Sequence, residues 1–127
     1  MKNWKAGSWV VTIGALHTLV MFVLAGDYLM GMITDGWVAA IEPDPMRMAA
    51  FWSLFFGFVL IGYGFALREL EAAQGGPSRL HPWALGAIAI AGGLAIPASG
   101  FWLALGPAVL LFRNSSVALT PARLSAP

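Results

Sequence analysis

The sequence contains no cysteine, little charge and only two histidines. Without cysteine, the chain can form no disulfide, has no thiolate chemistry and offers no Cys-ligated metal site. Charged residues make up 10% of the chain, whereas soluble domains carry roughly a quarter. The basic residues form neither a run nor a helical face, so we expect no nucleic-acid partner. What is abundant is apolar sequence, at 59% of the residues, and we expect lipid to solvate much of it.

The charges are distributed unevenly along the chain. No charged residue occurs in 6–26, 48–67 or 80–112. Four of the six acidic residues lie in the 27–46 connection, and six of the seven basic residues lie at the N-terminus, in the 68–81 connection or in the C-terminal tail. Because basic loops stay on the cytoplasmic side of a membrane, this asymmetry predicts a multi-pass protein of the bacterial inner membrane with both termini cytoplasmic.

The apolar stretches predict an all-α, antiparallel four-helix membrane bundle within residues 1–113. We expect an interfacial lid at 27–44, a flexible tail at 114–127 and helices at about 6–26, 45–67, 82–96 and 101–112. The first stretch is interpreted as a retained helix, since it exceeds a typical signal-peptide core and lacks a clear cleavage site.

Local signals mark the helix ends. Asp44 followed by Pro45 predicts an N-cap and first residue, because the carboxylate accepts an otherwise unpaired N–H and proline has none. Arg68 is expected to close the second helix. The turn Pro97-Ala98-Ser99-Gly100 predicts a break between two short helices. Ser99 would either cap the fourth helix or offer its hydroxyl to a ligand.

The lid is expected to lie over this turn, since irregular backbone within a membrane needs cover. Ile33, Trp37 and Ile41 are spaced i, i+4 and i+8, which predicts a short interfacial helix with one apolar side. Small residues predict where helices pack closely: Gly7 and Gly14 on the first, Ser53, Gly57 and Gly64 on the second, and Gly86, Ala89 and Gly93 on the third.

His17 lies near the middle of the first predicted span, where an ionisable residue is rare. It is either a functional group or a neutral histidine hydrogen-bonded to Ser53, Thr12 or a backbone carbonyl of another helix. One histidine does not make a metal site, and His81 is expected at the opposite end of the bundle, so we predict no metal.

Carboxylates cluster on the outer side. Asp44 either caps the second helix or, with Glu42, contributes a general acid or a headgroup contact. Arg47 either pairs with Glu42, extends to the surface or contacts a ligand. Asp27 is a simple interface residue or a further candidate acid. With His17, these four residues are the candidate polar groups of a site.

Aromatic residues could form the walls of such a site. Trp52 and Trp102 would line an apolar pocket with Ser53, Ser99, His17 and Arg47, or would face lipid at the membrane interface.

The resemblance to known proteins is carried by three segments: Gly14-x-x-His17-Thr18, Asp44-Pro45-x-Arg47-x-Ala49-Ala50-Phe51-Trp52 and Pro97-x-Ser99-Gly100-Phe101-Trp102-Leu103. Together they resemble a family of small bacterial four-helix membrane proteins of unknown function and, more distantly, DoxX-type membrane proteins. This resemblance covers nearly all of residues 5–113 and implies an integral membrane protein with a break at 97–100. It implies no activity.

Three hypotheses for function follow. The first is a membrane protein that binds a hydrophobic or amphipathic small molecule, such as a lipid, an isoprenoid or a quinone-like compound, in the outer half of the bundle. The second is an acid–base enzyme, an isomerase or cyclase, acting on such a compound. The third is a structural or assembly subunit. We expect membrane lipid as a partner, no cofactor, and allow for a homo-oligomer.

Overall fold

The structure, a computed structural model, describes residues 5–73 and 77–117, and all regular secondary structure within them is helical. Its elements in chain order are α1 (Ala6–Leu24), α2 (Gly26–Thr34), α3 (Pro45–Ala72), α4 (Leu80–Ala95), a 3-10 helix (Gly100–Ala104) and α5 (Leu105–Val117). The predicted all-α class is confirmed for this part of the chain. The antiparallel four-helix membrane bundle stays a prediction.

The chain divides into two compact units. One, here called the terminal unit, combines Met1–Trp9 with Gly64–Pro127, and the other, the central unit, is Val10–Tyr63. The central unit contains α2 with most of α1 and the first two thirds of α3, whereas α4, the 3-10 helix and α5 belong to the terminal unit.

Glycines let α1 and α3 approach closely within each unit. In the terminal unit, a Cβ added to Gly7 would lie 2.6 Å from the backbone oxygen of Gly64 and 2.6 Å from the backbone nitrogen of Arg68. In the central unit, a Cβ on Gly14 would lie 3.0 Å from the backbone oxygen of Gly57. Such distances leave no space for a side chain, so the predicted small-residue stripes of these two helices are confirmed.

The carboxylate of Glu71 caps α1. The backbone N–H of Ala6 donates to its Oε1 at 2.8 Å, and the N–H of Gly7 donates to its Oε2 at 3.0 Å. The first N–H groups of a helix have no partner within it and carry partial positive charge, so a carboxylate satisfies both. Helix α3 continues to Ala72 instead of ending near Leu67 as predicted, because the residues after Arg68 are good helix formers.

Replacing Glu71 with alanine is expected to lower the free energy of unfolding by about 1–2 kcal/mol, since two backbone donors lose a charged acceptor. Denaturant unfolding of the purified protein measures this change. Glu69→Ala is the matched control, because Glu69 is exposed on the same turn of α3 and its loss should cost less than about 0.5 kcal/mol. Equal effects of the two substitutions would contradict the cap.

The connection between α1 and α3 contains less helix than predicted. Helix α2 ends at Thr34, so Ile33 is its only member of the predicted apolar row, and Trp37 and Ile41 follow in a turn. The reason is the backbone at Gly36 (φ +91°) and Trp37 (φ +66°), which is left-handed and cannot continue a right-handed helix. The predicted helix carrying all three residues is therefore wrong.

The apolar side of α2 packs on the first turns of α3. Leu29 and Met32, three residues apart on one face, are buried with Ala50 and Leu54 of α3. Residues three or four apart share a helix face, so both buried side chains of this short helix face α3. This small core fixes α2 within the central unit.

The structure has the predicted break after α4. The helix ends at Ala95, and the N–H of Phe101 donates to the Oγ of Ser99 at 3.4 Å at the start of the 3-10 helix. The capping alternative for Ser99 is thus the one the structure shows. The predicted fourth helix begins in 3-10 form and α5 extends to Val117, past the expected start of the tail. The rest of that tail, 118–127, lies outside the described residues.

Two aromatic rings pack on α4 where it lacks side chains. A Cβ on Gly92 would overlap the ring of Phe101, and one on Gly93 would lie 2.5 Å from the ring of Trp102. Ala89 is also buried, but Gly86 has open space beyond its Cα, so the predicted third stripe is shorter than expected.

Two helices, α1 and α3, are long and apolar enough to cross a membrane, and α4 is apolar but shorter. Only 17% of the apolar window in α1 and 28% of that in α3 is buried. A core helix of a soluble protein would have most of this surface covered. The described part of the fold therefore leaves much of its apolar helix surface without cover.

Candidate functional site

Arg47 joins the loop between α2 and α3 to the first turn of α3. Its Nη1 donates to Oδ2 of Asp35 at 2.6 Å and to the carbonyl of Ala40 at 2.8 Å, and its Nε lies 3.7 Å from Oδ2 of Asp44. A guanidinium has donors on several sides, so one side chain holds the loop at three points. Pairing with Glu42 was one of the alternatives for Arg47, and the structure pairs Arg47 with Asp35 and Asp44 instead.

Two neighbours support this arrangement. Gly31 leaves room for the guanidinium, since a Cβ there would lie 3.0 Å from its Nη2. Asp44 Oδ1 accepts hydrogen bonds from the N–H groups of Met46 at 2.8 Å and Arg47 at 3.4 Å, so the predicted N-cap of α3 is confirmed. Asp44 is thereby used twice, as a cap and as a counter-ion.

The loop held by Arg47 is strained. Trp37 and Ala39 have φ values of +66° and +57° although neither is glycine. The left-handed region costs about 1–2 kcal/mol for a residue with a Cβ. Such conformations persist only where the surroundings fix them, and they cluster at binding sites.

An open groove of about 340 Å³ adjoins this loop. The loop and the first two turns of α3 both contribute to its lining, which consists of Ala39, Ile41, Glu42, Met48, Phe51 and Trp52. Glu42 is the charged residue of this lining. Within residues 5–73 and 77–117, no hydrogen bond or ion pair involves its carboxylate. The groove is thus an apolar surface with one uncompensated negative charge.

Aromatic rings extend the apolar surface of the groove along α3. The ring of Phe51 lies 5.6 Å from those of Trp52 and Phe55, centroid to centroid, and 6.3 Å from that of Trp37. Trp52 is 62% exposed and Phe55 is 49% exposed. The rings therefore hold one another in position while keeping much of their surface accessible.

His17 belongs to the packing of α1 on α3. Its Nε2 lies 2.9 Å from the backbone carbonyl of Ser53, and its ring meets Phe56 edge-on at 5.6 Å. A carbonyl only accepts, so Nε2 must carry the proton. Gly57 leaves the ring its space, since a Cβ there would lie 3.2 Å from Cδ2 of His17. Of the two alternatives for this histidine, the structure favours the one bonded to a backbone carbonyl.

The predicted site residues divide between the two units. Seven belong to the central unit: His17, Asp27, Glu42, Asp44, Arg47, Trp52 and Ser53. Asp27 is exposed in the first turn of α2, where a carboxylate suits the helix start. Ser99 and Trp102 belong to the terminal unit and stabilise the turn there, since the indole N–H of Trp102 donates to the carbonyl of Pro97 at 3.0 Å.

Of these candidates, only Glu42 and Trp52 line the groove. No three His, Asp or Glu side chains of the described ranges come close enough together to hold a metal ion. Met48 and Phe51 were not predicted as lining residues. Their signal was present, because Met48, Phe51 and Trp52 share one helix face by their spacing.

In the described residues, the protein is helical, two of its helices are long and apolar enough to cross a membrane, and an accessible, largely apolar groove lies at the start of the second of these helices. The chain belongs to a family of unknown function (DUF6463), whose model matches residues 1–118. The comparison with curated proteins found no match, and neither did the comparison with solved structures. The predicted membership of an uncharacterised family is confirmed, whereas the distant likeness to DoxX-type proteins stays a prediction.

Proposed function

We propose that this protein crosses a membrane with α1 and α3 and binds a hydrophobic or amphipathic small molecule in the groove beside Glu42 and Trp52. The uncovered apolar surface of both helices supports the proposal that they cross a membrane. Residues 48–67 of α3 carry no charge, and about 20 residues at 1.5 Å each match the ~30 Å hydrocarbon core. A signal sequence would explain only α1, which lies near the N-terminus.

The distribution of basic residues supports an orientation. Arg68 and Arg79 follow the uncharged part of α3, and Lys5 precedes α1, so these ends face the cytoplasm of a bacterial cell. The start of α3 and the acidic loop before it then face outward. Trp37 and Trp52 lie near this outer boundary, where tryptophan is enriched in membrane proteins.

The groove is the observation that carries the binding proposal. Small-molecule sites have mostly apolar walls and a few directed polar groups. Met48, Phe51 and Trp52 supply the walls at the level where the uncharged part of α3 begins, so a molecule dissolved in the lipid reaches them directly. Glu42 supplies the polar group. We therefore assign the polar contact to Glu42 rather than to His17, Arg47, Asp44 or Ser99, whose polar atoms have partners within the protein.

The enzyme hypothesis requires a carboxylate and His17 to act on one ligand. In the part of the chain that the structure describes, no hydrogen bond joins His17 to a carboxylate, and no other observation favours acid–base chemistry over binding. The hypotheses of a structural subunit and of a homo-oligomer likewise stay predictions.

Mass spectrometry of the protein purified in a neutral detergent tests the binding proposal. We expect the wild type to retain an amphiphile that Trp52→Ala retains about tenfold less, because truncating an aromatic anchor typically costs more than 1 kcal/mol. Trp83→Ala is the matched control, since Trp83 is 66% exposed but does not line the groove. Equal retention by both variants would contradict the proposal.

A further inference from the structure

We propose that the groove selects amphiphiles with a positively charged ammonium headgroup. This inference rests on the proposed function and names the class of ligand for the same groove. It follows from the charges and rings around Glu42.

The local charge balance favours a cation. The loop and helix start from Asp35 to Arg47 contain three carboxylates and one guanidinium, which leaves a net charge of −2. Arg47 contacts Asp35 and Asp44, so the guanidinium is already compensated. Glu42 alone presents its charge to the groove. An anionic headgroup would meet this repulsion without any free cation to offset it, and an uncharged headgroup would leave the carboxylate unpaired.

The aromatic rings favour the same ligand. Ammonium groups are attracted to the faces of tryptophan and phenylalanine within about 6 Å of the ring centre, and quaternary ammonium ligands are recognised in this way. Trp52 and Phe51 line the groove together with Glu42, so one headgroup can contact both a carboxylate and a ring.

An alkyl chain also has a path. Phe55 stacks on Phe51 one turn further along α3, away from the loop, and it is 49% exposed. From there the uncharged stretch of α3 continues. A headgroup at Glu42 would therefore place its chain along Phe51 and Phe55, whereas a small soluble cation would use only the headgroup end. For this reason we infer an amphiphile and not a free cation.

Isothermal titration calorimetry of the protein in dodecyl maltoside micelles tests this inference, with protein-free micelles as the blank. The probes are tetradecyltrimethylammonium, tetradecyl maltoside, tetradecyl sulfate and chain-free tetramethylammonium. We expect saturable binding of tetradecyltrimethylammonium to the wild type, weakened about fivefold by Glu42→Gln, since a partly exposed ion pair contributes up to about 1 kcal/mol. Glu69→Gln is the control: it makes the same chemical change at an exposed carboxylate outside the groove, and should leave binding unchanged.

The possible outcomes distinguish a failure of the ammonium preference from a failure of the proposed function. If all three long-chain probes bind equally and Glu42→Gln changes nothing, the ammonium preference is overturned while amphiphile binding stands. If tetramethylammonium binds as tightly as its long-chain analogue, the ligand is a soluble cation and the inference is also overturned. If Trp52→Ala leaves the binding of every probe unchanged, the proposed function itself fails.

Discussion

Gly7→Ala is expected to lower the free energy of unfolding by about 3 kcal/mol, the upper end of the cost of adding atoms to a packed interface. The added methyl would lie 2.6 Å from two main-chain atoms, the oxygen of Gly64 and the nitrogen of Arg68. Main-chain atoms cannot rotate away as a side chain can, so α1 and α3 must separate locally. The separation would also lengthen the hydrogen bond from Gly7 to Glu71.

Gly62→Ala is the control for this prediction. Gly62 lies on the same helix α3, and a Cβ there would meet nothing within 4 Å. Alanine is the better helix former by about 1 kcal/mol, so this variant should unfold at the same or a slightly higher denaturant concentration. The measurement is denaturant unfolding of both variants in the same detergent. If Gly7→Ala is as stable as Gly62→Ala, the close packing of the two helices is wrong.

Arg47→Ala is expected to open the loop between α2 and α3 and to destabilise it by about 2 kcal/mol. Most of this effect comes from the carbonyl of Ala40, which loses a charged donor. The ion pairs contribute less, because the side chain of Asp35 is 54% exposed and exposed pairs contribute up to about 1 kcal/mol. Without Arg47, fewer contacts offset the strain at Trp37 and Ala39.

Hydrogen exchange of the backbone amides measures this opening. Exchange should rise more than tenfold at Trp37, whose N–H donates to the carbonyl of Met32 in α2, and at Ala40, whose N–H donates to the carbonyl of Trp37. It should stay unchanged in α4. Arg47→Lys keeps the charge but lacks the planar fork, so it should restore only part of the protection. Arg113→Ala, at an exposed position of α5, should have no effect on the loop. Protection of the loop that survives Arg47→Ala would contradict the role assigned to this residue.

The features predicted correctly from sequence depend on residues close together in the chain. Asp44 and Ser99 each accept a hydrogen bond from an N–H two residues further on, so their own neighbourhood was enough to identify them as caps. The glycine stripes of α1 and α3 were found because their seven-residue spacing keeps them on one face.

The features that were missed depend on distant partners. Glu71 bonds to residues 64 and 65 positions away, so nothing around it in the sequence indicated that it caps α1. The apolar spacing of Ile33 and Trp37 suggested a helix, but the left-handed backbone after α2 ends the helix before Trp37. The loop after α2 brings Asp35 near Arg47, so Arg47 pairs with Asp35 and not with Glu42, which is closer in the sequence. The groove depends on the same loop, which contributes Ala39, Ile41 and Glu42 to its lining.

Labelling of single cysteines in intact cells of an expression host tests most directly whether α1 and α3 cross a membrane with the groove outside. The chain has no cysteine of its own, so Thr34→Cys, Val59→Cys and Ser78→Cys each introduce one unique thiol. We predict that a membrane-impermeant maleimide labels Thr34→Cys in intact cells and Ser78→Cys only after lysis. Val59→Cys should be labelled in neither case unless the membrane is dissolved. Labelling of Val59→Cys in aqueous buffer without detergent, or of Thr34→Cys and Ser78→Cys from the same side, would contradict it.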